Sequence, residues 1–278
     1  MRFSVGCEIG YEVTEAATLI FNIEAMRGGR QRVLDEQLTI TPNLAADEKT
    51  AEESGNRYLR LTAPRGLVQL RYSAQIELDA LHQAPAVINE VPIATLPLDT
   101  LPFINPSRYC PSDQLARFAN RQFGNVAPGF GRVVEICNWI NAEVDYLFGT
   151  SDTTTTAADT FSLRAGVCRD FAHLGITMCR AMDIPARYVS AYAFRLDPPD
   201  FHATFEAYLG GRWYLFDATR KAALDGLIRI GVGRDAAEVS FSSFFGKAEP
   251  DEMKVSISST DRGTGGDLTT QAVSLSER

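Results

Sequence analysis

Cys168 follows Gly166 and Val167 and opens an apolar-periodic stretch that reads as a helix start. Unsatisfied N–H groups at a helix start carry partial positive charge, which favours a thiolate, the nucleophilic form of cysteine. Cys7, Cys110, Cys137 and Cys179 have no such position and read as small buried hydrophobes. A thiolate needs a base, usually histidine, and the base needs a group that orients it. The chain has three histidines. His82 is isolated beside a proline-rich stretch. His173 lies on the same helix as Cys168 but is rotated by about 140° from it, at 100° per residue. His202 is left as the partner.

His202 opens the stretch HATFEAYL-GG-RWYLFDAT, which reads as a β-hairpin turning at Gly210-Gly211. A two-residue turn pairs Leu209 with Arg212, so Asp217 falls opposite Thr204 and Thr219 opposite His202. Side chains alternate along strands, which puts His202, Thr204, Trp213, Leu215, Asp217 and Thr219 on one face. His202 and Asp217 are then diagonal neighbours within reach of each other. An aspartate in so apolar a run is costly unless paired, and a bond to the His202 imidazole would satisfy it and fix the tautomer. The competing reading of Asp217 is a strand-end residue capping the turn before Thr219-Arg220.

Arg169 and Asp170 follow the cysteine in the first helical turn, and Glu206 shares the triad face; each is a candidate for the site or a solvated charge. The Cys168 amide is the natural oxyanion donor. Metal binding through Cys168, His173 and His202 is disfavoured by the helical angle. No acidic loop suggests calcium, so no metal or cofactor is expected.

The elements that must position these residues fall into segments. Residues 1–80 hold alternating runs punctuated by Gly28-Gly29, Pro42 and Gly55-Asn56, and predict a small antiparallel β-sandwich. Residues 81–111 include Pro85, Pro92, Pro97, Pro102, Pro106 and Pro111, which predicts an extended connector wrapping between two domains. The segment 112–258 is expected to be the core. It begins with a helix over about 113–123, capped by Ser112-Asp113 and ended by Gly124. A second helix is read over about 130–147, a polar loop at Thr153–Thr156, and a third helix over about 167–183, stopped by Pro185. Strands are read at ARYVSAYAF, in the hairpin and at Leu227–Val232. Residues 259–278, rich in Gly, Ser and Thr, read as a flexible tail.

The chain has 278 residues, is 45% hydrophobic and 22% charged, and so can bury a sizeable core. Its formal charge of −8 argues against nucleic acid as a partner, because phosphate binding needs a basic surface. The start MRFSVGCEIGYEV reads as a strand rather than a signal peptide. No run approaches the roughly 18–20 apolar residues that span a bilayer, so no membrane partner and a cytoplasmic location are expected. Five scattered cysteines suggest neither a disulfide framework nor a structural zinc site.

The run AGVCRDFAHLGITMCRAMDIPARYVSAYA, followed by DFHATFEAYLGGRWYLFDATR, resembles the bacterial transglutaminase-like superfamily. The approach TTAADTFSLRAGVCRD and the segment INPSRYCPSDQL are similar to its branch with an N-terminal β-domain. The resemblance implies an α+β fold: a papain/transglutaminase-like core, with helices packed on an antiparallel β-sheet or barrel, preceded by a small β-sandwich domain. It implies Cys168, His202 and Asp217 as the catalytic triad. Thr204 stands where a tryptophan is usual, and Ala218 where proline is usual. Thr204 is expected to open the pocket, change substrate choice or weaken catalysis. Thr204, Glu206, Trp213, Arg169 and Asp170 are the candidate pocket residues. The implied activity is attack on a peptide or protein amide through a thioester. Hydrolysis is favoured over transfer to an amine, because transfer requires excluding water and binding a second substrate. The competing reading is a non-catalytic peptide-binding module.

Overall fold

The computed structural model describes residues 1–261 and 268–277. Strand β1 (Arg2–Val13) buries Phe3, Val5, Cys7, Ile9, Tyr11 and Val13, every second side chain, as a half-buried strand must. It is followed by β2 (Ala17–Phe21), β3 (Gln31–Thr41), β4 (Ala46–Thr50), β5 (Arg57–Ala63) and β6 (Gly66–Leu78). A short strand, β7 (Leu81–Gln83), leads into the proline-rich connector, which contains three 3₁₀ segments, Pro85–Val87, Ile93–Thr95 and Leu98–Phe103. The connector is docked at its centre: the Ile88 carbonyl accepts the Phe130 N–H at 3.0 Å, and Glu90 pairs with Arg132 at 3.1 Å.

The helical layer comprises α1 (Ser112–Phe123), α2 (Phe130–Glu143), α3 (Ala157–Leu163) and α4 (Cys168–Ala181), with two-residue strands β8 (Asp145–Tyr146) and β9 (Ala165–Gly166) between them. It packs on β10 (Ala186–Ala193), β11 (Phe201–Leu209), β12 (Arg212–Phe216) and β13 (Leu227–Gly233), arranged β12-β11-β10-β13 and antiparallel. Ala203, Phe205, Ala207 and Leu209 join the helix-side core. Contact is close enough that a Cβ on Gly175 of α4 would lie 2.5 Å from the Phe205 ring, so this helix lies flat on β11 only with glycine there. The fold is mixed α+β, with mostly antiparallel sheets, few helices and a β-rich N-terminal part.

Four expectations differ from the structure. The second helix stops at Glu143 rather than about 147. Asp145 N–H instead bonds the Arg164 carbonyl, and Leu147 N–H the Gly166 carbonyl, each at 2.9 Å, which replaces the helical bonds with a parallel ladder. The polar loop at Thr153–Thr156 is present, and directly after it comes the helix α3, which was not among the expected elements and whose capping box links Thr156 and Asp159. That T-x-x-D spacing was a legible signal. The helix α1 begins after Pro111 with no side-chain cap.

The last differences concern the C-terminal stretch. The strands β14 (Ser242–Phe245) and β15 (Ala248–Ser259), expected within the core segment, pair with β2 and β1 of the sandwich. The two sandwich sheets run β15-β1-β6-β3 and β14-β2-β5-β4. The physical reason is the free edge of β1: its N–H and C=O groups on the side away from β6 require a partner. The expected flexible tail contains a strand, β16 (Ala272–Ser274), paired with β7 and buried through Leu275. The remainder of that expectation, over 262–267 and 278, lies outside the described residues.

Candidate active site

Cys168 is the first residue of α4 and is half-buried. The turn that presents it is braced from below. Asp170, almost fully buried, folds its carboxylate back to accept the Val167 N–H at 2.8 Å and the Ser151 hydroxyl at 2.6 Å. A Cβ on Gly166 would sit 2.7 Å from the Asp170 Cβ, which accounts for the glycine two residues before the cysteine. The Arg169 guanidinium bonds the Asp152 carbonyl and so latches the loop before α3 to the same turn. Both residues therefore hold the Cys168 turn in place, and the Asp170 carboxylate is taken up by the Val167 N–H, the Ser151 hydroxyl and Arg169 at 3.5 Å. Replacing Asp170 with alanine strips the Val167 N–H of its buried acceptor. It is expected to cost about 1–3 kcal/mol of stability and to slow Cys168 alkylation, read by urea unfolding and thiol labelling. A loss under about 0.5 kcal/mol would show that the brace is dispensable.

His202 sits near the start of β11 with its side chain fully buried. Its Nε2 donates to Asp217 Oδ2 at 2.9 Å. Nδ1 makes no hydrogen bond of good geometry, and the Cys168 side chain and, more weakly, Asp200 also bear on the ring. Both readings of Asp217 hold together. Its Oδ1 accepts the Thr219 N–H at 2.9 Å and the Thr219 hydroxyl at 2.7 Å, capping the turn, while Oδ2 takes the imidazole and the Ala222 N–H at 3.3 Å.

Burial alone would drive the imidazole neutral. The Asp217 carboxylate and the Cys168 side chain overcome it and push the His202 pKa up to about 10. Asp217 is also opposed by burial, but the imidazolium and the Thr219 bonds hold it below the usual carboxylate range. Relative to an unfolded imidazole near 6.5, the His202 contribution to stability is full below about pH 6.5 and is lost as pH rises through about 10. The Asp217 contribution is present above the unfolded carboxyl's pKa and is lost as pH falls through its lower folded value. The other thiols are pushed up by burial: Cys7 to about 11, Cys110 to about 12, and Cys137 and Cys179 upward as well.

The hairpin register is as expected from Phe205–Phe216 to Leu209–Arg212, and Val189 pairs with Thr204. Of the three pocket candidates on this face, Thr204 is closed off and Glu206 and Trp213 lie farther along the strands from His202. Thr204 is 1% exposed with an unpartnered hydroxyl, so it opens no pocket. Glu206 is fully buried between Arg187 at 2.6 Å and Arg229 at 3.2 Å. Trp213 pairs with Tyr208, six residues beyond His202 and hence about 20 Å along the strand. There Trp213 lies under Arg187 at 4.3 Å and meets Phe103 edge-to-face at 5.3 Å, beside a cleft of 1060 Å³. Face parity identified these residues but says nothing of distance along the face. His173 is fully buried: its Nε2 accepts the Ala236 N–H at 3.1 Å, its ring stacks on Tyr109, and burial pushes it down to about 3. His82 lies 3.8 Å from Asp225. Among the described residues, no three His, Cys, Asp or Glu side chains cluster as metal ligands.

One residue at the site was missed. Tyr146, read as part of the second helix, pairs with Gly166 and brings its hydroxyl to the Cys168 side chain and backbone. An aromatic residue following a helix by only a few positions carried no signal for that contact.

The fold thus brings a cysteine at a helix start and a histidine–aspartate pair on an antiparallel hairpin to one place. Residues 116–218 match the transglutaminase-like superfamily, and residues 1–99 match the bacterial transglutaminase N-terminal domain. The chain is similar to the crystal structure of a candidate cysteine protease from Cytophaga hutchinsonii, with 41% identity and a TM-score of 0.95 over 99% of this chain and 97% of that one. An uncharacterized protein of Mycobacterium leprae is 29% identical over 65% of this chain and 68% of its own length. One of Mycobacterium tuberculosis is 26% identical over 76% of this chain and 75% of its own length. The chain belongs to the bacterial transglutaminase-like superfamily.

Proposed function

We propose that the protein is a thiol hydrolase acting on amide bonds of a peptide or protein, with Cys168 as nucleophile, His202 as acid and base, and Asp217 as the group that orients and charges the imidazole. The observation that carries this reading is the buried His202–Asp217 pair at 2.9 Å, whose other ring nitrogen is left to the thiol at the start of α4. Cys168 Sγ attacks the amide carbonyl, and the carbonyl π electrons move to oxygen. As the tetrahedral species collapses, the His202 imidazolium gives its Nδ1 proton to the departing amine, leaving a thioester. Water then attacks the thioester, His202 takes one of its protons, and the acid departs as Sγ is released. Asp217 keeps Nε2–H bonded throughout and does not itself take the proton.

The first test is labelling with iodoacetamide at pH 6, followed by peptide mapping. Cys168 should react and the four thiols that burial pushes up should not. With Asp217→Asn the opposing carboxylate charge is gone, burial dominates, and the imidazole becomes neutral near pH 7. The Cys168 labelling rate at pH 6 should then fall by about tenfold or more. Equal rates in the two proteins, or labelling no faster than a free thiol, would move the peptide-binding reading ahead. Supplying a labelled primary amine with a glutamine peptide separates the two enzymatic outcomes: released ammonia without incorporated amine supports hydrolysis, and efficient incorporation overturns it in favour of acyl transfer.

A further inference from the structure

A tetrahedral intermediate on Cys168 places its oxygen near the start of α4, where the Cys168 N–H has no intrahelical acceptor. One donor is seldom enough, and a second must come from a group held beside the same turn. Three features converge on Tyr146. Its backbone is tied in parallel to Gly166, two residues ahead of the cysteine, with flanking bonds of 2.9 Å from Asp145 N–H to Arg164 and from Leu147 N–H to Gly166. Its ring is packed against Phe171 of α4 at 5.7 Å and Phe148 at 5.6 Å, with the Lys221 ammonium 4.5 Å over its face. Its hydroxyl lies close enough to Cys168 that, after burial, the thiol and the backbone amide are the main groups that bear on its ionisation.

We propose that the Tyr146 phenol is the second oxyanion donor, acting together with the Cys168 N–H; this rests on the thiol reading above. In the resting site the hydroxyl faces the Cys168 N–H and Sγ. When Sγ bonds to the carbonyl carbon, negative charge moves from sulfur to the carbonyl oxygen. A rotation about the phenol C–O bond carries the O–H from one to the other. No bond of the tyrosine is made or broken, and its proton stays on the phenol. Burial and the neighbouring thiol hold that phenol well above its ordinary pKa, so it remains a donor wherever the protein is folded.

The test is Tyr146→Phe, which keeps the packed ring and removes the donor. The main measurement is the affinity of a peptide aldehyde, which adds reversibly to the thiol and forms a tetrahedral oxyanion, set beside the matching peptide alcohol, which cannot. Aldehyde affinity should fall by about 100-fold or more, in line with the loss of one oxyanion donor, and alcohol affinity should hold within about threefold. On an amide substrate the same loss should appear in kcat and not in KM. Alkylation by iodoacetamide, a displacement with no oxyanion, should change by less than about threefold. Aldehyde affinity equal in the two proteins overturns the proposal while leaving the thiol reading intact. Parallel collapse of alkylation and aldehyde binding also overturns it and makes Tyr146 a positioning residue for the thiol. A wild-type protein that binds no aldehyde defeats both readings together.

Discussion

Cys168→Ala is expected to lower kcat/KM on a cleavable peptide amide by about 10⁵–10⁶, and His202→Ala to cost nearly as much. The two groups act as one unit, so the double variant should be little worse than the weaker single. The cysteine change should leave the frame intact, whereas the histidine change removes the partner of a buried carboxylate and should lower the unfolding temperature. Cys168 is half-buried at a helix start, where alanine is well tolerated, and its turn is held by Asp170 and Gly166 rather than by the thiol. His202→Ala does leave Oδ2 of Asp217 without the imidazole, but Oδ2 still takes the Ala222 N–H, and the Oδ1 bonds to Thr219 remain. Kinetics of the two singles and the double at neutral pH, with thermal unfolding as control, decide the matter. Losses below about tenfold in properly folded Cys168→Ala, or losses that multiply in the double, would show that this pair is not the catalytic unit.

Glu206→Gln is expected to cost about 3–5 kcal/mol of stability, although it is nearly isosteric. Glu206 is fully buried and is the carboxylate shared by Arg187 and Arg229. Arg229 is itself buried and reaches across to the Leu275 carbonyl at 2.8 Å, and its backbone N–H is held by Gln31. Neutralising the one anion leaves two guanidinium groups in a poorly hydrated interior, and each is far more expensive there than the pair was with its partner. Burial opposes ionisation of Glu206, but Arg187 and Arg229 win and hold it below the ordinary carboxylate range. Its stabilisation is therefore present above the unfolded glutamate pKa and is lost as pH falls through the folded value. Urea midpoints at pH 7 and in mild acid test both points. Wild type and variant should differ strongly at pH 7 and converge in acid, and Arg229→Met placed in the Glu206→Gln background should recover part of the loss. A difference under about 1 kcal/mol at pH 7 would mean that water already reaches the pair.

The site was legible where its geometry is local. Two glycines fix a two-residue turn, the turn fixes the register, and the register sets His202 diagonal to Asp217. Cys168 was legible because a helix start announces itself through glycine before it and apolar spacing after it. What escaped depended on pairing across long separations. Tyr146 lies within the stretch that reads as the second helix, and only the bond from its neighbours to residues 164 and 166 shows that the chain has left the helix. The strand Ala248–Ser259 is mostly exposed and weakly alternating, so nothing in it names β1 as its partner. Glu206 and Trp213 were assigned to the correct face, but a period of two carries no information on how far apart two residues of one face lie. Thr204 departs from the family's usual tryptophan, and its burial shows that a smaller side chain there does not by itself make an opening.

The first strand of the chain is bonded on one side to β6 and on the other to β15, which ends at residue 259. The N-terminal sandwich is thus closed by a strand that follows the helices and the hairpin in the chain, and the order in which a ribosome delivers the chain matters. While the helices and the hairpin emerge, β1 waits with one edge bare, alternating and apolar on its inner side. That interval is when a nascent chain of this topology is exposed to pairing with a neighbour, and a product cut short after the hairpin would carry Cys168, His202 and Asp217 yet keep that edge open.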